Sequence, residues 1–562
     1  MSSIIRDVRS YSINSEIFYR KLVEYCAVNS GVTFDDEIHP MDQLSPQTYG
    51  DVPSCYKSAQ WNAIIKKYPH KVAYGDPKEK AKQIFLKTEE KCRTINRKFQ
   101  AIWEIERGLR KTSRVWSGQS KRHLETARDF IRYVLGDSPD INRILENCDF
   151  TPGTNFGLRG KAMDTTVLRK MVDANVWCVT PGAYHYFRAA VFKNAQLSDA
   201  LCAIEGVYPF TFERVSEILS DKITVVNCNK IAFVPKTAAV HRTIAVEPFG
   251  NVFVQYGIMT VMNEKLKRVG IDLTRQDINQ ELAYQASISG KFATLDLSNA
   301  SDSIATELVK FLLPPDWYDL LNNTRCKSYL LDGVEQPFSK FCNQGNAFCF
   351  PLETLIFTAL AKATGSDVGN STHIYGDDII IESELSDAMV KLLRYCGFQT
   401  NLDKSFTSGP FRESCGADYY QGTNVRPVKL DFEVKHLTDL IKFFNLTYRT
   451  DITAAYFEEF RVSILEMLPI RWRFFKRNRS EVMTDAFYNP EHWAEGVGLS
   501  RDHNTQGFTA LAWREDMTIS RVKVGRWAFG QILFMAALRG HGSKRPFVQR
   551  GNAGYSHVRV NV

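Results

Sequence analysis

A mixed α/β fold is what this sequence predicts, and three observations carry the prediction. The 562 residues, 44% of them hydrophobic, suffice to bury several cores, so three or four packed units are expected. The central third carries short β-rich runs, such as Phe292-Ala-Thr-Leu-Asp-Leu297 and Ile379-Ile-Ile381, separated by longer helical stretches. Helical periodicity dominates from Pro77 to Arg122 and again beyond about Leu430. With no internal repeat, low-complexity tract or long Pro/Gly/Ser linker, the units should be interleaved and closely packed.

The formal charge of +8, from 71 basic and 63 acidic residues, suits an anionic partner but is modest for this length, so its distribution matters more than its total. Between Pro77 and Arg122 stand fourteen Lys or Arg against five Glu, among them Lys91, Arg93, Arg97, Lys98, Arg110, Lys111 and Arg114, with Phe99, Trp103 and Trp116 interspersed. Two readings are open. The segment either tracks a phosphate backbone and stacks bases, or is a solvated helical face whose aromatics pack inward. The same choice applies to a second basic cluster, Arg471-Trp-Arg-Phe-Phe-Lys-Arg-Asn-Arg479, and to a third at Lys544, Arg545, Arg550 and Arg559.

Twelve scattered cysteines with no C-x-x-C pair argue for reduced, mostly buried thiols rather than a structural zinc or redox site. The start, Met1-Ser-Ser-Ile-Ile-Arg6, has no apolar core of a signal peptide, and the longest apolar stretch, near Phe529 to Leu538, is too short to span a bilayer. A cytosolic compartment is the expectation.

The chemistry concentrates in carboxylates. Thr372-His-Ile-Tyr-Gly-Asp-Asp-Ile-Ile-Ile381 reads as a β-hairpin with Asp377 and Asp378 at its tip. Two unit charges roughly 4 Å apart repel by about 4 kcal/mol even at an effective dielectric near 20. A divalent cation between them reverses the sign, whereas the plain alternative is an exposed Asx-type turn. Leu295-Asp-Leu-Ser-Asn-Ala-Ser-Asp-Ser303 supplies a further acid, because Asp296 ends an apolar strand; Asp302, opening the next helix, is also an ordinary helix N-terminal residue. Two Mg²⁺ ions about 3.5–4 Å apart, with Mn²⁺ able to substitute, would be bridged by Asp296 and Asp377 and supported by Asp378.

Phosphoryl transfer also needs fixed cations. Phe233-Val-Pro-Lys-Thr-Ala-Ala-Val-His-Arg-Thr-Ile-Ala-Val-Glu-Pro248 offers Lys236 and Arg242 in a hairpin-like segment, the latter with a guanidinium that matches phosphate bidentately. In Gln344-Gly-Asn-Ala-Phe-Cys-Phe-Pro-Leu-Glu353, Gly345 leads into a helix where a backbone without Cβ can approach a template or nucleotide, and Asn346 and Glu353 are candidate ribose contacts. Downstream, Cys396-Gly-Phe-Gln-Thr-Asn-Leu-Asp-Lys-Ser405 brings Lys404, a candidate proton donor to leaving pyrophosphate. Taken singly, each of these has an ordinary structural explanation; their order gives them weight.

That order, basic hairpin, Asp strand, Gly-led helix, Gly-Asp-Asp hairpin and Lys, resembles the motif set of viral right-hand polymerases. Within them it is similar to the replicase catalytic subunit of the leviviruses, small positive-strand RNA bacteriophages. The likeness extends through Val269-Gly-Ile-Asp-Leu273, Asp277-Ile-Asn-Gln280 and Phe411-Arg-Glu-Ser-Cys-Gly416, and covers about Cys148 to Pro427. It implies an α+β right hand: an N-terminal segment (1–75) at the periphery of thumb and fingers, fingers (76–290), a palm on a small antiparallel sheet with flanking helices (291–430), and a thumb with the C-terminal region (431–562). It also implies RNA-directed RNA synthesis from ribonucleoside triphosphates on a single-stranded RNA template, primer-independent initiation, and work in the cytoplasm of an infected bacterium. Host translation elongation factors Tu and Ts are implied partners, with a ribosomal RNA-binding protein as a further one.

Two positions depart from the wider polymerase pattern: Cys349 stands where threonine is common, and Glu353 where many relatives carry asparagine. Ala300 and Ser301 are small where reverse transcriptases place a bulky aromatic, which with Asp302 favours ribonucleotides. A non-catalytic basic RNA-binding protein would explain the charge but not the ordered motifs.

Overall fold

The computed structural model describes residues 13–33, 50–67, 76–111, 118–149, 177–204, 211–237, 239–476, 486–489, 500–501, 508–521 and 548–561, with a few isolated positions besides. Its elements follow from local sequence chemistry. Helix α1 (Ser15–Ser30) is capped by the Asn14 side chain and ended by Gly31 at φ 67°. Helix α2 (Val52–Ile65) starts on Asp51, whose carboxylate accepts from the Ser54 amide. Helix α3 (Pro77–Glu106) combines an Asp76 cap with Pro77 at its first position, where a missing N–H costs nothing.

The basic segment is helical to Glu106 and again from Gly118, where the helix Gly118–Leu135 begins, but residues 107–111 leave the helix, with Gly108 at φ 71°. α3 buries one stripe: Ala81, Phe85, Thr88, Glu89, Cys92, Phe99 and Ile102. Phe99, Trp103 and Trp116 close on Phe311 from the helix Thr306–Leu312, at ring-centroid distances of 5.5, 5.9 and 5.4 Å. The aromatics therefore pack inward, so base stacking on these rings is not met, while the outward bases stay open to either reading. Its bases are distributed accordingly. Lys98 donates to the Tyr395 carbonyl at 2.7 Å and lies over the Tyr395 ring, Lys91 donates to Gln399, and Arg93 and Arg110 pair with Glu90 and Glu104 of α3. Arg97 and Lys111 are exposed. Arg114 lies outside the described residues, as do Arg477, Arg479, Lys544 and Arg545, while of the side chains of Arg471, Arg550 and Arg559 nothing is described.

Two sheets hold the centre. In the first, β1 (Cys228–Pro235) and β2 (His241–Val246) form an antiparallel hairpin beside β4 (Ser328–Leu331) and β5 (Val334–Pro337), in the order β2-β1-β4-β5. In the second, β3 (Phe292–Leu295), β7 (Asp378–Glu382) and β6 (His373–Tyr375) run antiparallel in the order β3-β7-β6. Helices α4 (Asp277–Ser289) and α5 (Cys349–Ala363) flank it. α5 is buried around most of its circumference, so it reads as continuously apolar rather than amphipathic.

Three apolar clusters follow. The largest joins Cys92 through Phe398 without a break at residue 290. A second joins α1 and α2 to residues 406–487, with Phe18 edge-on to Phe443 at 5.3 Å and Gln60 exchanging hydrogen bonds with both backbone groups of Val428. A small third, around Phe85, Ile231 and Tyr329, lies under the four-stranded sheet. The expectation of helix beyond Leu430 holds for Leu437–Leu446, Asp451–Tyr456 and Glu458–Glu466 and then fails: Phe508–Arg521 and Val548–Asn561 pair as long antiparallel strands. The missed signal is the two-residue period of Leu511, Trp513, Met517 and Ile519. All twelve cysteines are free thiols, ten of them buried. No described helix is long and apolar enough to cross a membrane.

Because Phe311 is the shared contact of three aromatics, Phe311→Ala should cost about 3–5 kcal/mol. Arg97→Gln, on the solvated face, should shift stability by less than about 0.5 kcal/mol. Urea unfolding followed by tryptophan fluorescence checks both.

Candidate active site

The acidic hairpin is built by register. Tyr375 pairs with Asp378, leaving Gly376 and Asp377 as a two-residue turn, with Gly376 at φ 62°. A Cβ on Gly376 would stand 2.3 Å from Phe350, so the turn tolerates no side chain there. The Gly376 amide donates to Thr354 Oγ1 at 3.0 Å, which ties the turn to α5. From the other flank, Gln276 donates to the Tyr375 hydroxyl and Asn279 to the Asp378 carbonyl, so these two brace the hairpin, while Gln280 donates to the Cys415 carbonyl.

On the neighbouring strand Leu295 pairs with Ile379, so the next residues outward on β3 and β7 are Asp296 and Asp378. Asp296 is held on both sides of its backbone: its amide donates to Ser405 Oγ and its carbonyl accepts from the Asn401 amide at 2.8 Å. Its carboxylate accepts from Asn401 Nδ2 at 3.0 Å and lies 3.4 Å from Lys404 Nζ, which is 3.9 Å from Glu413. The first sheet meets this one through Gly345. The Ala245 amide donates to the Gln344 carbonyl, and a Cβ on Gly345, at φ 121°, would stand 1.9 Å from the Ala245 oxygen. The close approach at Gly345 is thus made to strand β2 of the protein itself.

The electrostatics are those of an unsatisfied anionic centre. Burial, then Asp377 and then Asp296, raise the Asp378 carboxyl to about 7, against a partial lowering by the Cys415 backbone. Asp296 is raised by burial and by Asp377, with Lys404 opposing. Burial alone would lower Lys404, but Glu413, Asp296 and Asp378 raise it well above the usual lysine value. Lys236, just beyond β1, is lowered by desolvation and by Arg242 and Lys404, and Arg242 is exposed on β2. Lys404 and Lys236 thus approach the acids from separate elements, with Arg242 beside Lys236.

Glu353 on α5 is buried, and burial, Asp377 and Asp302 raise its carboxyl far above the usual range; one of its oxygens has no hydrogen-bond partner among the described residues. Both polar side-chain atoms of buried Asn346 are likewise unpartnered. Orphaned polar groups in a buried wall are costly unless something else satisfies them. Asp302 sits in a short 3₁₀ turn, Ser301–Ser303, with its carboxylate 2.6 Å from Lys340.

Among the described residues no group of three His, Cys, Asp or Glu side chains is placed so that it could hold a metal ion by itself. Asp296, Asp377 and Asp378 carry the oxygen donors that Mg²⁺ takes, and burial and crowding raise the proton affinity of Asp296 and Asp378, which a cation would relieve.

Sequence reasoning missed four contributors. Lys340 is fully buried and is named by no motif. Lys66, at the end of α2, has Lys404 and Lys429 among its charged neighbours, and adjacent Lys67 donates to the Lys236 carbonyl at 2.9 Å. Arg412, also fully buried, donates to the Phe292 carbonyl at the start of β3. Arg412 lay within a quoted motif; the lysines had no sequence signal, since their proximity is tertiary.

Residues 54–488 match the family described as RNA replicase, beta-chain. The chain is 33% identical over 430 residues to the RNA-directed RNA polymerase subunit beta of Enterobacteria phage SP, covering 74% of this chain and 68% of that protein. It is 36% identical over 342 residues to the corresponding subunit of Escherichia virus Qbeta, covering 59% and 52%. It is 39% identical over 319 residues to the RNA-directed RNA polymerase beta chain of Escherichia phage MS2, covering 56% and 55%. The matched part thus spans about half the length of the latter two. Among solved structures, the RNA-dependent RNA polymerase of BmCPV at its elongation state aligns over 60% of this chain and 32% of that one, at 13% identity and a TM-score of 0.36.

The raised carboxyls predict a pH signature. A folded-state pKa above the unfolded value means the folded chain keeps a proton that the unfolded chain releases near pH 4, so stability falls as pH rises from about 4 to 7. Asp378→Asn should flatten that slope and stabilise the metal-free protein at pH 7.5 by up to about 4 kcal/mol. Saturating Mg²⁺ should erase the advantage. Thermal melts in EDTA and in Mg²⁺ at several pH values check this.

Proposed function

The chain belongs to the RNA replicase, beta-chain family, and on that premise we propose that it is an RNA-directed RNA polymerase that copies a single-stranded RNA phage genome by metal-assisted nucleotidyl transfer. The observation that carries the reading is the convergence of Asp296 with the Gly-Asp-Asp turn at one end of the β3-β7-β6 sheet. Asp296 and Asp377 would be the main residues to hold the metal, with Asp378 in support. Two divalent ions bound there supply activation of the attacking 3′-hydroxyl and charge stabilisation of the departing pyrophosphate.

The remaining steps belong to the chain's own side chains. Lys236 and Arg242 hold the triphosphate, Arg242 through its planar fork. Glu353, whose carboxyl burial pushes well above the usual range, contacts the ribose, and Asn346 offers it an amide. Asp302 accepts from the 2′-hydroxyl. Lys404 gives its proton to the leaving pyrophosphate; Asp296 and Glu413 grip that proton tightly, so release requires both acids to be engaged elsewhere.

In this reading residues 291–430 are the palm and 76–290 the fingers. The cluster shared by α1, α2 and residues 406–487 supports assigning 1–75 to the thumb side with 431–562. Of the basic segment, Arg97 and Lys111 are left as the freest candidates for RNA phosphates. Initiation without a primer and assembly with translation elongation factors Tu and Ts in the host cytoplasm belong to the same proposal, supported by the levivirus resemblance and by relatives that are named as beta subunits. A ribosomal RNA-binding protein is the further proposed partner.

The test is Mg²⁺-dependent incorporation of labelled ribonucleotides on an unprimed RNA template, by the purified chain alone and with host extract. Asp378→Asn should lower synthesis by about 10³-fold, or about 4 kcal/mol in barrier, with template binding retained. Lys404→Leu should slow single-turnover chemistry by about 10²–10⁴-fold without changing template affinity. Undiminished incorporation by Asp378→Asn would refute the catalytic assignment.

A further inference from the structure

Lys340 is fully buried, a costly position for an ammonium unless it is paired and hydrogen-bonded. It follows β5, and its backbone bridges that of Ala305. Its Nζ lies 2.6 Å from Asp302 Oδ1 and 3.9 Å from Glu89 Oε1, with the Phe85 ring 4.2 Å away. Glu89 is anchored in turn, accepting from the Ser339 amide at 2.6 Å. Asn96, two turns along α3, donates to the Ser339 carbonyl and accepts from the Glu307 amide. Cys92 donates to the Asp302 carbonyl at 3.4 Å. The buried stripe of α3 thus grips the segments on both sides of the Asp302 turn.

Asp302 keeps partial exposure, and the contact to Lys340 is its only side-chain hydrogen bond among the described residues, made by one oxygen. A carboxylate on so short a turn has two rotatable bonds; a bond to an immobile partner removes that freedom and leaves the second oxygen pointing in one direction. The partner here is immobile because its stem is fully enclosed and its charge lies between an acid and an aromatic face.

We infer that Lys340 is a positioning residue for sugar selection: it holds Oδ1 of Asp302 so that the other oxygen is presented to the 2′-hydroxyl of the incoming ribonucleotide, with Glu89 centring the ammonium. This rests on the reading of Asp302 given under the proposed function. Lys340 touches no substrate in this account and acts only through Asp302.

The test compares kcat/KM for a ribonucleoside triphosphate and its 2′-deoxy analogue on one template, using the full chain with whatever host proteins its activity requires. Lys340→Met should lower the ribo-to-deoxy ratio by about 10²-fold, the cost of a misplaced contact, carried mainly by the ribonucleotide's KM. If the single variant does not fold, Lys340→Met with Glu89→Gln removes the stranded second charge, and the same fall is expected. A folded variant that loses both activities equally, or keeps the wild-type ratio, overturns the inference. Asp302→Asn separates the two levels. A wild-type ratio in Asp302→Asn removes the ribose reading and the inference with it, whereas a lowered ratio there beside an unchanged ratio in Lys340→Met overturns the inference alone.

Discussion

Antiparallel pairing of β3 with β7, in the register that sets Leu295 against Ile379, crowds carboxylates at one end of a three-stranded sheet, and much of the surrounding structure answers that crowding. Strand ends are the natural place for it, because the paired strands behind them are fixed by Ile379, Ile380 and Ile381, all fully buried. A one-residue slip would exchange the faces those isoleucines pack on and move Asp296 out of register with Asp378. Apolar packing therefore holds together groups whose charges repel.

The neighbouring elements brace the turn and supply cations from several parts of the chain. Thr354, Gln276 and Asn279 hold the hairpin through hydrogen bonds, so its position does not depend on the carboxylates. Lys404 comes from beyond the sheet, Lys236 and Arg242 from a hairpin in the other sheet, and Lys66 from the second N-terminal helix. Two glycines permit this assembly for different reasons. Gly376 makes room for Phe350 inside a turn, and Gly345 lets the loop before α5 lie on β2, joining the two sheets.

How much of this could be read in the chain depended on the range of the interaction. Asp377 and Asp378 are adjacent, and Asp296 ends an apolar run, so local pattern alone marked them. The aromatics of α3 were ambiguous because a helical spacing suits a core as well as a base stack; only Phe311, more than two hundred residues away, decides between them. Lys98 looked like every other base of its helix until Tyr395 met it. Beyond Leu430 the two-residue period of the strand 508–521 was present but short of a turn signal, and its partner 548–561 is remote in sequence.

By itself the sequence determined the mixed fold class, the acids, and the order of basic hairpin, Asp strand, glycine-led helix and acidic turn, because strand alternation, turn chemistry and charge are local properties. Tertiary structure alone decided that Gly345 is demanded by the Ala245 backbone, that α1 and α2 share a core with residues 406–487, and that Lys340 and Glu89 lie behind Asp302. The physical reason is that a buried ion pair or a backbone contact between distant segments leaves no period and no spacing in the chain; it exists only when both partners have been brought out of water together.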